Sequence, residues 1–106
     1  MKVEWRIEIA PTGYRSLEEI NDKKVLRAIC QVIDGLHQNP DTQGKALVHP
    51  LEGLRSIRAA KDRYRIIYRA NPADHLVSIL LVGPRKAGQE DDIYLLAQKL
   101  LKNLLG

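Results

Sequence analysis

The stretch that decides the fold is RYRIIYRA at 63–70, followed by NPAD at 71–74 and HLVSILLV at 75–82. The first segment is rich in residues that favour strands. Its alternation puts Arg63, Arg65, Ile67 and Arg69 on one side and Tyr64, Ile66 and Tyr68 on the other. Asn71, Pro72 and Asp74 mark a turn. The run 75–82 is almost continuously apolar, as in a central strand covered on both faces, and Gly83-Pro84 ends it. Upstream, LRSIRA at 54–59 is a third strand-like run, joined to the first by a turn at Ala60-Lys61-Asp62. These connections are too short for crossovers, so the three runs form an antiparallel meander.

Working outward, residues 2–9 alternate, with Val3, Trp5, Ile7 and Ile9 opposite Lys2, Glu4, Arg6 and Glu8. This is an amphipathic strand, broken by Ala10-Pro11-Thr12-Gly13. Ser16 is expected to cap a short helix, with Glu19 as its capping-box partner. Val25, Leu26, Ile29, Val32, Ile33 and Leu36 recur at helical spacing and predict a helix over about 22–38, stopped by Asn39-Pro40. Residues 40–53 read mostly as loop, and PRKAGQE at 84–90 as a basic, flexible one. From about Glu90 the spacing of Ile93, Leu96, Ala97, Leu100, Leu101 and Leu104 is helical again. Glu90, Asp91 and Asp92 at its start and Lys99 and Lys102 near its end suit the helix dipole. The helices must pack on the sheet, so the expectation is one small α+β domain over 1–106: an N-terminal strand and the meander, packed by a helical hairpin and a C-terminal helix.

Composition excludes several classes. The chain has 106 residues and is 44% hydrophobic, enough for one domain with a core. No apolar run nears the roughly 18 residues of a membrane span. The opening MKVEWRIEIAPTG interleaves charges with apolar residues, unlike a secretory signal, so a cytoplasmic protein is expected. The single cysteine, Cys30, makes no internal disulfide and reads as a small buried side chain. The net charge of +4 is unevenly placed. From Lys45 to Lys86 nine bases face three acids, a balance of +6, and the remainder carries −2. Such segregation fits a surface that meets a polyanion; equally, it fits a well-solvated, arginine-rich sheet.

Arg63, Arg65 and Arg69 form a ladder on one sheet face, within reach of Arg58 on the neighbouring strand. Like charges at that distance repel, so the arrangement does not serve stability. A phosphodiester backbone would relieve it, because paired guanidinium donors match phosphate. The plain alternative is that these arginines reach past the sheet edge to Glu18, Glu19 and Asp22. Arg85 and Lys86 lie in a Gly/Pro-flanked loop after the apolar strand, the kind of place where functional side chains gather, or simply a solvated basic loop. Tyr94 falls at the margin of the last helix's apolar stripe, either as packing or with its hydroxyl aimed outward. His37, His49 and His75 lack ligand spacing, and no phosphate-binding or dinucleotide fingerprint occurs, so no metal or cofactor is expected.

LEGLRSIRAAKDRYRIIY (51–68) and SILLVGPRKAGQEDDIYLLAQKLL (78–101) together resemble the RelE/ParE superfamily of toxins from bacterial toxin–antitoxin pairs. The order of elements agrees with that resemblance. It implies a cognate antitoxin partner, a toxin–antitoxin hetero-oligomer, and one of two activities, with a non-catalytic binding protein of the same fold as a further alternative. RelE-like members cut mRNA on the ribosome; ParE-like members poison DNA gyrase. On the RelE-like reading, favoured here, the resemblance implies catalytic roles for four residues. Arg65 holds the scissile phosphate and Arg85 the transition state or leaving group. Tyr94 is the candidate base, and Arg58 occupies a position the family usually fills with lysine. Arg55, Lys61, Arg63 and Lys86 are expected to bind RNA. Two features depart from the family: Ser56 stands where another lysine is usual, and the loop before Tyr94 is longer.

Overall fold

The computed structural model of the chain describes residues 3–90 and 92–105, with side chains as far as Lys102. Lys2, Asp91 and the Leu104 side chain, which belong to the patterns above, lie outside the described residues. The elements run β1 (Arg6–Ile9), α1 (Pro11–Glu18), α2 (Lys23–Gly35), β2 (Lys45–Ala46), β3 (Arg55–Ala59), β4 (Tyr64–Asn71), β5 (Leu76–Pro84) and α3 (Ile93–Leu105). The sheet order is β1-β5-β4-β3-β2. The meander β3-β4-β5 is antiparallel, as its short turns require. β1 joins β5 in parallel, which the two intervening helices make possible.

β5 is flanked by β1 and β4 and covered on both faces, which accounts for its apolar run. One core holds Trp5, Ile29, Ile33, Leu36, Ile66, Tyr68, Val77, Ile79 and Val82 beneath α1 and α2. The other holds Leu51, Leu54, Ile67, Ile93 and Ala97 beneath α3. A bulge divides β5 between them: Ile67 pairs with Leu81 and Tyr68 with Ile79, leaving Leu80 without a partner. The extra residue changes which face the later side chains meet. Ile79 and Val82 thus reach the first core, while Leu80 and Leu81 pack on the second.

Four sequence readings change. Pro11 opens α1 rather than separating it from β1, because a proline at the first helical position sacrifices no hydrogen bond. Ser16 is therefore not a cap. It sits buried within α1, donates to the Gly13 carbonyl and accepts the Val82 N–H at 2.9 Å, tying α1 to β5. Cys30 is exposed, since the buried stripe of α2 runs through Ile29, Ile33 and Leu36 and turns the neighbouring residue to solvent. In α3 Ile93 and Ala97 are buried and Leu101 is partly buried beside them, while Leu96 turns outward.

The stretch read as loop contains β2 and the contacts that hold it. The Gln43 carbonyl accepts from both Nε and Nη2 of Arg55 and from the Tyr68 hydroxyl. Tyr68 shares its proton with the Pro40 carbonyl, 2.8 Å away. Burial raises the Tyr68 pKa and outweighs the opposing pull of Arg55, so the phenol stays a neutral donor. The Gln43 side-chain amide donates to the carbonyls of Gly35 and Gln38, closing the end of α2.

Candidate functional site

Register assembles a patch on the α3 side of the sheet. Lys45 pairs with Ser56, and Ser56 with Ile67. In the next row Arg58 lies directly opposite Arg65, and Arg65 opposite Gly83. Gly83 leaves room for α3: a Cβ there would stand 2.9 Å from the Ile93 side chain. Ile93 is fully buried, so the start of α3 rests on the sheet and Tyr94 follows over the patch. Gly44, Lys45, Ser56, Ile57, Arg58, Arg65 and Tyr94 line a depression of about 360 Å³. An adjoining one of about 250 Å³ shares Lys45 and Tyr94 and adds Arg85, His49 and Gln98.

Tyr94 is the meeting point. Its hydroxyl is 2.9 Å from the Ser56 Oγ. The Arg85 guanidinium carbon lies 4.8 Å from its ring centroid and the Lys45 Nζ 5.7 Å, both within cation–π range. Asp92 organises this end of the molecule. Its carboxylate pairs with Arg85 at 2.5 Å and accepts the N–H groups of Lys86 and Tyr94; its carbonyl accepts the Leu96 N–H, capping α3. Burial by itself would raise the Asp92 pKa. The hydrogen bond from Arg85 and the two backbone donors outweigh it and hold the carboxyl below the usual range. The longer loop before Tyr94 thus folds back onto Asp92.

The other arginines divide between the patch and the scaffold. Arg65 Nη1 donates to the Asp62 carbonyl at 2.6 Å and the Tyr64 carbonyl at 3.1 Å. This braces a turn in which Ala60, Lys61 and Asp62 all have positive φ. Arg58 makes a long, exposed contact with Asp62, 3.8 Å, and such pairs contribute little. Arg55 points away from the patch onto the Gln43 carbonyl. Lys61 and Arg63 line a separate depression against the start of α2. Lys86 follows Arg85 in the loop, exposed, with its N–H on Asp92. Among the described residues the ion pairs are His49–Glu52, Arg58–Asp62 and Arg85–Asp92, and none involves Glu18, Glu19 or Asp22.

Arg58, Arg65 and Tyr94 are thus brought to one depression, with Arg85 beside the ring. Sequence reasoning passed over two residues here. Lys45 figured only in the charge count, inside a stretch without periodicity. Asp92 figured only as an acid near a helix start, although its place immediately before Ile93 is a capping signal. Among the described residues no three His, Cys, Asp or Glu side chains cluster as metal ligands, and no helix is long and apolar enough to cross a membrane.

Comparison with known proteins gives concordant results. The sequence model for the ParE toxin of type II toxin–antitoxin systems matches residues 7–87. Toxin RelE of Mycobacterium tuberculosis is 31% identical over 83 residues, covering 78% of this chain and 84% of that protein. Among solved structures, the toxin–antitoxin complex RelBE2 of Mycobacterium tuberculosis superposes with a TM-score of 0.70 at 28% identity, over 78% of this chain and all of that one. A variant of Escherichia coli toxin RelE in the free state gives 0.71 at 11% identity, over 93% and 97%, a likeness of fold.

Proposed function

The chain belongs to the ParE toxin family, as a RelE-like toxin of a type II toxin–antitoxin module, and on that premise we propose that it is a metal-independent endoribonuclease that cuts translated mRNA on the ribosome. One observation carries this reading: Arg58, Arg65 and Tyr94 line a single depression with Arg85 against the Tyr94 ring. Two arginines directly opposed across a strand pair repel each other, and a bound phosphate would offset that repulsion.

In the proposed reaction the ribose 2′-oxygen attacks the adjacent phosphorus. The P–O2′ bond forms, the P–O5′ bond breaks, and the products are a 2′,3′-cyclic phosphate and a 5′-hydroxyl. Arg58 and Arg65 clamp the non-bridging oxygens with paired donors. Tyr94, having first given up its own proton to solvent, takes the 2′ proton as the phenolate, and its oxygen lies 2.9 Å from the Ser56 Oγ. A proton from solvent reaches the departing O5′. Arg85, fixed by Asp92, supplies positive charge beside the forming negative charge without having to reorganise. Arg55, Lys61, Arg63 and Lys86 are assigned to the wider RNA surface; of these, Lys86 directly follows Arg85 in the chain.

The partners on this reading are the cognate antitoxin, the mRNA and the ribosome, all met in the cytoplasm. Induced expression followed by primer extension on a translated message tests it: new 5′ ends inside the reading frame support the nuclease. The match to the ParE model, together with Ser56 in place of a family lysine, favours a second reading as a gyrase poison. Intact mRNA with gyrase-dependent DNA breaks would establish that one instead.

A further inference from the structure

We propose that Lys45 is a further catalytic residue, the third cation on the scissile phosphate; the assignment rests on the nuclease reading above. Lys45 is exposed and lines both depressions that meet at Tyr94, with its Nζ 5.7 Å from the ring centroid. Among the described residues no carboxylate lies within ion-pair distance of it. Its neighbours in the larger depression are Arg58 and Arg65, so a third cation there adds repulsion in the free protein. An anion resolves that repulsion, and on the nuclease reading that anion is the phosphodiester.

The backbone around Lys45 is held in place. β2 is only Lys45–Ala46, too short to persist on its own pairing. It stays because the preceding Gln43 carbonyl takes three donors, from Arg55 and Tyr68. Gly44 has φ +62, and its missing Cβ lets the chain rest against the Ser56 carbonyl. Lys45 is therefore delivered opposite Ser56, on the same face as Arg58. A flexible surface lysine needs none of this support. Its ammonium, a compact point charge on a long stem, complements the forked donors of Arg58 and Arg65 by following the phosphate as its charge grows.

The test uses the full chain with Lys45→Ala, Lys45→Gln and Lys45→Arg. One readout is single-turnover cleavage of ribosome-bound mRNA. The other is the salt dependence of binding to an uncleavable RNA carrying a 2′-deoxy sugar at the cut site. Lys45→Ala and Lys45→Gln are expected to cleave about 100-fold more slowly and to lower the log–log salt slope by about 0.7. Lys45→Arg is expected to keep the slope and most of the rate, which a merely structural role would not predict. An unchanged slope in Lys45→Ala overturns the assignment whether or not the wild type cleaves. A reduced slope with a wild type that cleaves nothing supports the phosphate contact and overturns the nuclease reading instead.

Discussion

Tyr94 shows how far single residues were legible. Its place at the stripe margin of the last helix and the arginines around it could be read from alternation and a family pattern. Its bond to Ser56 could not, because the two are joined only by the packing of α3 on β3. Tyr94→Phe keeps the ring and removes the hydroxyl, so cleavage should fall by about 10² to 10⁴ with little change in urea midpoint. Asp92 is the opposite case, an acid whose partners lie in a loop with no period. Asp92→Asn should destabilise the fold by about 1–3 kcal/mol and slow cleavage by loosening Arg85. The pH dependence has a definite sign. The folded carboxyl titrates below its unfolded value, so its stabilisation is complete above about pH 4 and is lost as pH falls through the lowered folded pKa. Denaturation series at pH 7 and pH 3 should show a larger wild-type advantage over Asp92→Asn at the first than at the second.

Among elements, β4 and α2 were legible from their periods and β5 from its continuous apolar run, each with its own stops. β2 was not: two residues have no period, and it exists through Gln43, Gly44 and β3. α1 was misplaced at its start because Pro11 serves equally to end a strand and to open a helix. Two glycines separate these elements by experiment. A Cβ at Gly13 would stand 2.6 Å from the Ile79 carbonyl oxygen, so Gly13→Ala should push α1 off β5 and cost about 1–3 kcal/mol. The cleavage rate of the remaining folded protein should stay near wild type. Gly44→Ala combines a left-handed φ with a backbone clash. It should displace β2 and lower cleavage well beyond its effect on the denaturation midpoint. Equal loss of midpoint and activity in both variants would break the link between β2 and the site.

For the whole molecule, the +6 segment reads differently once folded. Its nine bases do not make one uniform basic face. Arg55 braces the scaffold, Lys61 and Arg63 sit against α2, and Lys45, Arg58, Arg65 and Arg85 gather around Tyr94. The two cores explain the division. One face of the sheet is covered by α1 and α2, while α3 covers only part of the other and leaves Arg58 exposed. The net charge and the grouping of Arg58, Arg65 and Arg85 with Tyr94 were legible in the sequence; the place of Lys45 in this focus of charge was not, because it depends on the register of β2. The central claim is that this focus is a phosphodiester-cleaving site, and ribosome-programmed mRNA cleavage by the purified wild type and Arg65→Ala tests it most directly. The account predicts cuts within the reading frame that leave 2′,3′-cyclic phosphate ends, reduced at least about 100-fold in the variant. Intact message with the wild type, or equal cutting by both proteins, would contradict it.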